Sequence, residues 1–323
     1  MKRREFMTLV GGAAAWPLAA RAQQPPMPVI GLLTTGRALS DRIQTAFREG
    51  LKDFGYVEGQ NVSIEYRFAE DQLDRLPALA ADLVQRRVAV IAAGVRCGEA
   101  AKAATSAIPI VFLSGSDPVR TGLVTRLNRP GGNLTGVSLL SPDVETKRLG
   151  ILRELIPRAA SVAALIDSTS ALLDHQVQQV QAAAQSLGMS LRLVTVGGAQ
   201  DLDAAVATVA REGAGALIVT SSVLFLSTRH RLAALAAHHE LPAIFELREY
   251  AEAGGLLSYG PTLKEAWRQM GIYTGRILKG EKPGDLPVVQ SIKFELIINL
   301  KSAKALRLEV PDKLLALADE VIE

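Results

Sequence analysis

The chain has 323 residues, with 36 basic and 33 acidic side chains and a formal charge of +3. At about 100–200 residues per domain, this length predicts two domains or one large one. Hydrophobic residues make up 48% and charged residues 21%, which excludes an intrinsically disordered chain, and the single cysteine, Cys97, excludes an intrachain disulfide and cysteine-built zinc or iron–sulfur sites.

The first residues read as an export leader. Lys2, Arg3 and Arg4 form a basic head, residues 6–20 are mildly apolar, and Ala20-Arg21-Ala22 is a small-residue cleavage pattern. A signal peptide over 1–22, cleaved after Ala22, predicts a periplasmic product. Arg3-Arg4-Glu5-Phe6-Met7 resembles a twin-arginine signal, but Lys2 stands where Ser or Thr is preferred, so general secretion stays open. Without the leader the chain is formally neutral. That removes the argument for a nucleic-acid partner.

A short linker at 23–28 precedes an apolar strand at 29–33, which ends in Thr34-Thr35-Gly36. Ile43, Ala46, Phe47, Leu51 and Phe54 have helical spacing. Residues 61–68 alternate as a strand, Leu73 to Val84 carry a second helical stripe, and 88–93 is a continuous apolar strand. A strand at 110–113 ends in Ser114-Gly115-Ser116-Asp117, and a Pro- and Gly-rich turn follows at 128–133. The rhythm then repeats. Strands at 162–166, 191–196, 216–219 and 243–245 alternate with helical stripes, and they end in Asp167-Ser168, Thr220-Ser221-Ser222 and Glu246. Thr262 and Glu265 have capping-box spacing ahead of Ala266, Trp267, Met270, Tyr273 and Ile277.

Continuous apolar strands alternating with amphipathic helices predict parallel sheets covered on both faces. The pattern predicts an α/β fold of two doubly wound lobes. One lobe takes residues 28–138 plus about 259–285, and the other takes 139–258 plus about 286–323. Ligand sites in such sheets lie at the carboxyl ends of the strands. There the chain offers Thr34, Thr35, Ser114, Ser116 and Asp117 in one lobe, and Asp167, Ser168, Thr220, Ser221 and Glu246 in the other. Small polar groups of this kind hold a small polar ligand, and they also cap helices. Arg96, beside Cys97, is a candidate for a ligand carboxylate. Asp117, Asp167 and Glu246 are candidates for an ammonium. Nucleotide, hydrolase-elbow and zinc-protease motifs are absent, and His238 and His239 point about 100° apart on a helix, so neither a cofactor nor a metal is expected.

Specific residues then carry a resemblance. They are Phe54-Gly55-Tyr56-Val57-Glu58-Gly59-Gln60-Asn61-Val62, Asp117-Pro118-Val119, Arg129-Pro130-Gly131-Gly132-Asn133-Leu134-Thr135-Gly136, Ala253-Gly254-Gly255-Leu256-Leu257-Ser258-Tyr259-Gly260 and Lys293-Phe294-Glu295-Leu296-Ile297-Ile298-Asn299-Leu300-Lys301. The chain resembles the ABC transporter substrate-binding proteins of the tryptophan/tyrosine-binding type. The resemblance implies a periplasmic-binding-protein type I-like fold with a multi-strand hinge and a ligand held between the lobes. It also implies a membrane permease partner with separate ATPase subunits, a monomer, and Tyr259 near the ligand. Family members often carry Asn-Pro-x-Asn-Pro where this chain has Asp167-Ser168-Thr169-Ser170-Ala171, so ligand identity does not carry over. An amino acid or related small carboxylate is the default expectation. A sensory binding module, or an exported enzyme on the same fold, are the competing readings.

Overall fold

The computed structural model describes residues 27–139, 144–157, 159, 161–170, 172–290 and 293–323. The expected signal peptide lies outside them. Strands β1 (Val29–Thr34), β2 (Ser63–Phe68), β3 (Val90–Ala93), β4 (Ile110–Ser114) and β5 (Leu134–Ser138) build one sheet. Strands β6 (Ser161–Asp167), β7 (Ser190–Val196), β8 (Ala216–Val219), β9 (Ala243–Phe245) and β10 (Leu257–Pro261) build most of a second. The chain then adds β11 (Val289–Gln290) to the first sheet, and β12 (Phe294–Asn299) and β13 (Glu320–Ile322) to the second. The orders are β11-β5-β4-β3-β1-β2 and β13-β12-β10-β9-β8-β6-β7. Every pair is parallel except β10 with β12, which is antiparallel.

β3 and β8 are buried along their whole length, as their unbroken apolar sequences require when helices cover both faces. Helices α1 (Asp41–Lys52), α2 (Leu76–Gln85) and α3 (Gly98–Ala104) follow the early strands of the first sheet. Helices α4 (Val144–Leu155), α5 (Leu173–Ser186), α6 (Leu202–Arg211), α7 (Val223–Ser227), α8 (Arg229–His238) and α9 (Arg248–Glu252) belong to the second half, and α10 (Leu263–Leu278), α11 (Leu300–Ala305) and α12 (Asp312–Leu317) to the tail. No helix among the described residues is long and apolar enough to cross a membrane.

Helix α10 returns to the first sheet, where Trp267, Met270 and Tyr273 join Phe47 and Leu51 of α1 in one core. Two glycines set the closeness of that packing. A Cβ at Gly50 would lie 2.1 Å from the Arg268 carbonyl oxygen, and one at Gly271 would lie 2.2 Å from that of Phe47. The crossings expected near 259 and 285 therefore fall later. Residues 257–261 stay in the second sheet, paired with both β9 and β12, and 289–290 stay in the first, paired with β5. Backbone hydrogen bonding is the cause, since each short stretch completes a sheet edge or interior that would otherwise be open.

The capping box is not formed. The Thr262 hydroxyl is buried without a partner, and its N–H donates instead to the Lys293 carbonyl at 3.1 Å, tying two crossings together. The Glu265 carboxylate turns to Arg268, 3.7 Å away.

Candidate functional site

Parallel strands that all point one way bring their ends together. In the first sheet Ser114 pairs with Ser138, and in the second Asp167 pairs with Val196, so the polar termini of each sheet sit side by side. Between the two sets lies a cavity of about 270 Å³. The first lobe lines it with Val95, Arg96, Glu99, Ser114, Ser116 and Thr121, and the second with Ser170, Leu172, Ser221, Ser222 and Val223. A larger, more open depression of about 580 Å³ lies at Arg126, Arg129 and Lys282, near the amino end of β5, and the second lobe contributes nothing to it.

Arg96 stands in the turn between β3 and α3 with φ of +64°, a conformation that a side-chain-bearing residue rarely adopts. Among the described residues it makes no ion pair, and it is exposed toward the cavity. Ser114 closes the neighbouring turn by donating to the Ser116 carbonyl at 2.9 Å. Cys97 is fully buried behind Arg96, and burial pushes its thiol far up from the ordinary value, which makes it inert.

Four of the sequence candidates line the cavity: Arg96, Ser114, Ser116 and Ser221. The others sit elsewhere, each held by its own surroundings. Thr34 is buried at the end of β1 and its carbonyl takes the Ala69 N–H, while the Thr35 carbonyl takes that of Asp71. Asp117 Oδ1 accepts from the Val119 and Arg120 N–H groups at 2.9 and 3.3 Å. Asp167 is buried, with Oδ1 accepting from the Thr169 N–H (2.8 Å) and hydroxyl (2.6 Å) and Oδ2 from the Ser222 hydroxyl (2.6 Å). Ser168 and Thr220 donate to the carbonyls of Val196 and Leu165. Tyr259 stacks on Phe294, ring centroids 6.0 Å apart, within the second lobe. Glu246 is also outside the lining, with its side chain half-buried. Burial pushes its carboxyl up, and the nearby Ser221 hydroxyl and Arg148 guanidinium pull it back.

Arg148 itself was invisible in the sequence pattern. It is fully buried on α4, bonded to both Glu145 oxygens at 3.0 and 2.9 Å and to the carbonyls of Val219 and Ile244. Glu99, Thr121, Ser170 and Ser222 are lining residues that strand-end reasoning did not select, because they lie three to seven residues past a strand end, where only the loop path decides which side chain faces inward.

The lobes touch directly. Arg42 in the first turn of α1 reaches Glu249 and Glu252 of α9, each at 3.0 Å. On α5, His175 is pushed down by burial and then by Arg120 across the cleft, against the pull of Asp117.

The family described as ABC transporter substrate binding protein matches residues 35–322. The chain belongs to that family. By its description the family is one of solute-binding proteins rather than enzymes. A tyrosine-binding protein from Clostridioides difficile (strain R20291) is 26% identical over 271 residues, covering 83% of this chain and 77% of the relative. Among solved structures, the ABC domain from Streptococcus pneumonia in complex with L-Trp matches with a TM-score of 0.83 and 24% identity, covering 91% of this chain and 99% of that one. The ligand-free, open structure of a substrate binding protein with adhesive properties from Clostridium difficile matches with a TM-score of 0.71 at the same identity and coverage. The architecture is the two-lobe, periplasmic-binding-protein type I-like fold.

Proposed function

We propose that the chain is the periplasmic solute-binding component of an ABC importer. It captures a small polar ligand, an amino acid or related small carboxylate, and delivers it to a membrane permease served by separate ATPase chains. It works as a monomer. The observation that carries this reading is the cavity of about 270 Å³ lined from both lobes, with the Arg96 cation on one wall and serine hydroxyls on the other. The volume suits one small metabolite. Only a closed arrangement contacts the ligand from both sides, so binding shifts an open–closed equilibrium by its differential affinity. The tyrosine-binding relative supports the amino-acid class.

The test is thermal unfolding against a library of amino acids, aromatic acids and other small carboxylates. A ligand at about 100 times its dissociation constant adds about 2.7 kcal/mol. In a chain of this size that raises the midpoint by about 4 °C. A folded protein that no member of the library stabilises would remove the small-carboxylate reading. A compound chemically consumed in the assay would replace carrier with enzyme.

A further inference from the structure

We infer that the cavity is built for an aliphatic tail. The carboxylate of the ligand meets Arg96, and its other end is a saturated, branched chain of leucine size that packs on Leu172 and Val223 of the second lobe. This rests on the small-carboxylate reading above and names the class of carboxylate.

The second wall spends much of its polar capacity on its own loops. The Ser170 hydroxyl oxygen accepts from the Leu172 N–H at 3.2 Å. The Ser222 hydroxyl oxygen accepts from the Leu224 N–H at 3.0 Å, and the hydroxyl donates to Asp167 Oδ2 at 2.6 Å. Asp167 Oδ1 takes the Thr169 N–H and hydroxyl, so one buried carboxylate ties together the two loops that carry Leu172 and Val223. Beyond their serines, what these loops add to the cavity lining is those two apolar side chains.

Leu172 and Val223 are half-buried, and neither joins any of the four apolar cores among the described residues. Their neighbours in the chain do: Leu173 packs on one core of the second lobe and Leu224 on the other. On the first-lobe side, Leu113 and Leu123 are already buried within cores, and the half-buried Val95 packs against one of them. A single apolar side chain left on a surface is ordinary. Two on one wall of a cavity lined from both lobes, each unclaimed by a core, offer hydrocarbon that a ligand covers.

The complementary tail is aliphatic rather than aromatic. Among the described residues no aromatic ring lines the cavity. Phe245 stacks on Tyr250 and Tyr259 on Phe294 in the second lobe, and Phe47 meets Trp267 edge-on in the first, so these rings are paired inside their own lobes. A ring-to-ring contact is worth up to about tenfold in affinity, and an aromatic ligand forgoes it here. A phenol O–H or indole N–H carried onto Leu172 and Val223 would also lose its water. The ligand therefore departs from the tyrosine and L-Trp of the relatives.

The experiment is calorimetric titration of the chain with two series. One is L-alanine, L-norvaline and L-leucine, and the other is propionate, pentanoate and 4-methylpentanoate. L-tyrosine and L-tryptophan are the aromatic members of the first, and 3-(4-hydroxyphenyl)propionate of the second. In at least one series, affinity is expected to rise about fourfold per added CH₂, and the aromatic members to bind at least about tenfold more weakly than the branched one. Leu172→Ala is expected to weaken the branched member about tenfold and the shortest member by less than about threefold. Val223→Thr keeps the shape of the side chain, adds a hydroxyl and lowers the gain per CH₂. Both variants should unfold within about 2 °C of wild type, since no core uses either side chain. An aromatic member that binds as tightly as the branched aliphatic one, an affinity that does not rise along either series, or a Leu172→Ala variant that weakens short and long members alike overturns the inference and leaves the carrier reading standing. Binding confined to polar carboxylates such as L-glutamate does the same. A wild type that binds no carboxylate of any of these kinds removes the small-carboxylate reading as well.

Discussion

Alanine at two glycines of this chain is expected to move stability in opposite directions. At Gly50 the added Cβ would stand 2.1 Å from the Arg268 carbonyl oxygen and 2.8 Å from the Ile272 nitrogen, both backbone atoms of α10. An ordinary carbon–oxygen contact is about 3.4 Å, so the helices must part by about 1 Å. That separation loosens Trp267, Met270 and Tyr273 against Phe47 and Leu51 in the first-lobe core. Overpacking costs about 1–3 kcal/mol when side chains can give way. Here backbone meets backbone, so about 3 kcal/mol is expected, or roughly 5 °C in the midpoint for a chain of this length. Gly150 lies on α4 with nothing within 4 Å of its Cβ position. Alanine there removes only glycine's helix penalty and is expected to add about 0.5–1 kcal/mol. Urea unfolding followed by circular dichroism reads both. A Gly50→Ala midpoint equal to that of wild type, or below it by no more than Gly150→Ala is above it, would refute the claim that the glycine contact docks α10.

Four further outcomes follow from the same geometry. Asp167→Ala leaves three donors from Thr169 and Ser222 without their acceptor and is expected to cost about 3 kcal/mol in urea unfolding, whereas an unchanged midpoint would mean the aspartate is not scaffolding. Arg42→Ala removes the cross-cleft pairs to Glu249 and Glu252, worth about 1 kcal/mol together, so solution scattering should show a larger radius and ligand affinity should fall about fivefold. Glu246 has a folded-state pKa raised by burial, so its share of stability is full below the ordinary carboxyl value of 4.5 and is lost as pH rises through the raised one. Glu246→Gln is free of that loss and should gain on wild type as pH climbs from 4.5 toward neutrality, and parallel stability–pH curves would contradict the burial. Cys97, buried with its thiol pushed up, should resist iodoacetamide at pH 8 in the native protein and react once unfolded.

Much of the scaffold was legible because burial on both faces leaves a plain mark. β1, β3, β8 and β9 are apolar runs that no helix of this length explains, and the α10 stripe from Ala266 to Ile277 is buried as its spacing predicts. Helix α4 left no such mark. Its inner face carries Glu145 and Arg148, bonded to each other and to strand carbonyls, and a charged pair in the core erases the apolar period. The tail strands were equally obscure, since pairing with a distant partner is a property of no local segment.

The residue sequence by itself determined the α/β alternation, the two sheets and the concentration of small polar residues at the carboxyl ends of their strands. It also put Arg96 and Ser221 among the candidates. Tertiary structure alone decided which of those residues face the cavity. Asp117, Asp167 and Glu246 look equivalent to Arg96 on a list of strand ends, yet nearby N–H and hydroxyl donors take up the first two, and the third lies half-buried outside the cavity lining. The physical reason is competition: a polar side chain near a turn satisfies the closest partner first, and only those left over after the loops have closed remain to meet a ligand.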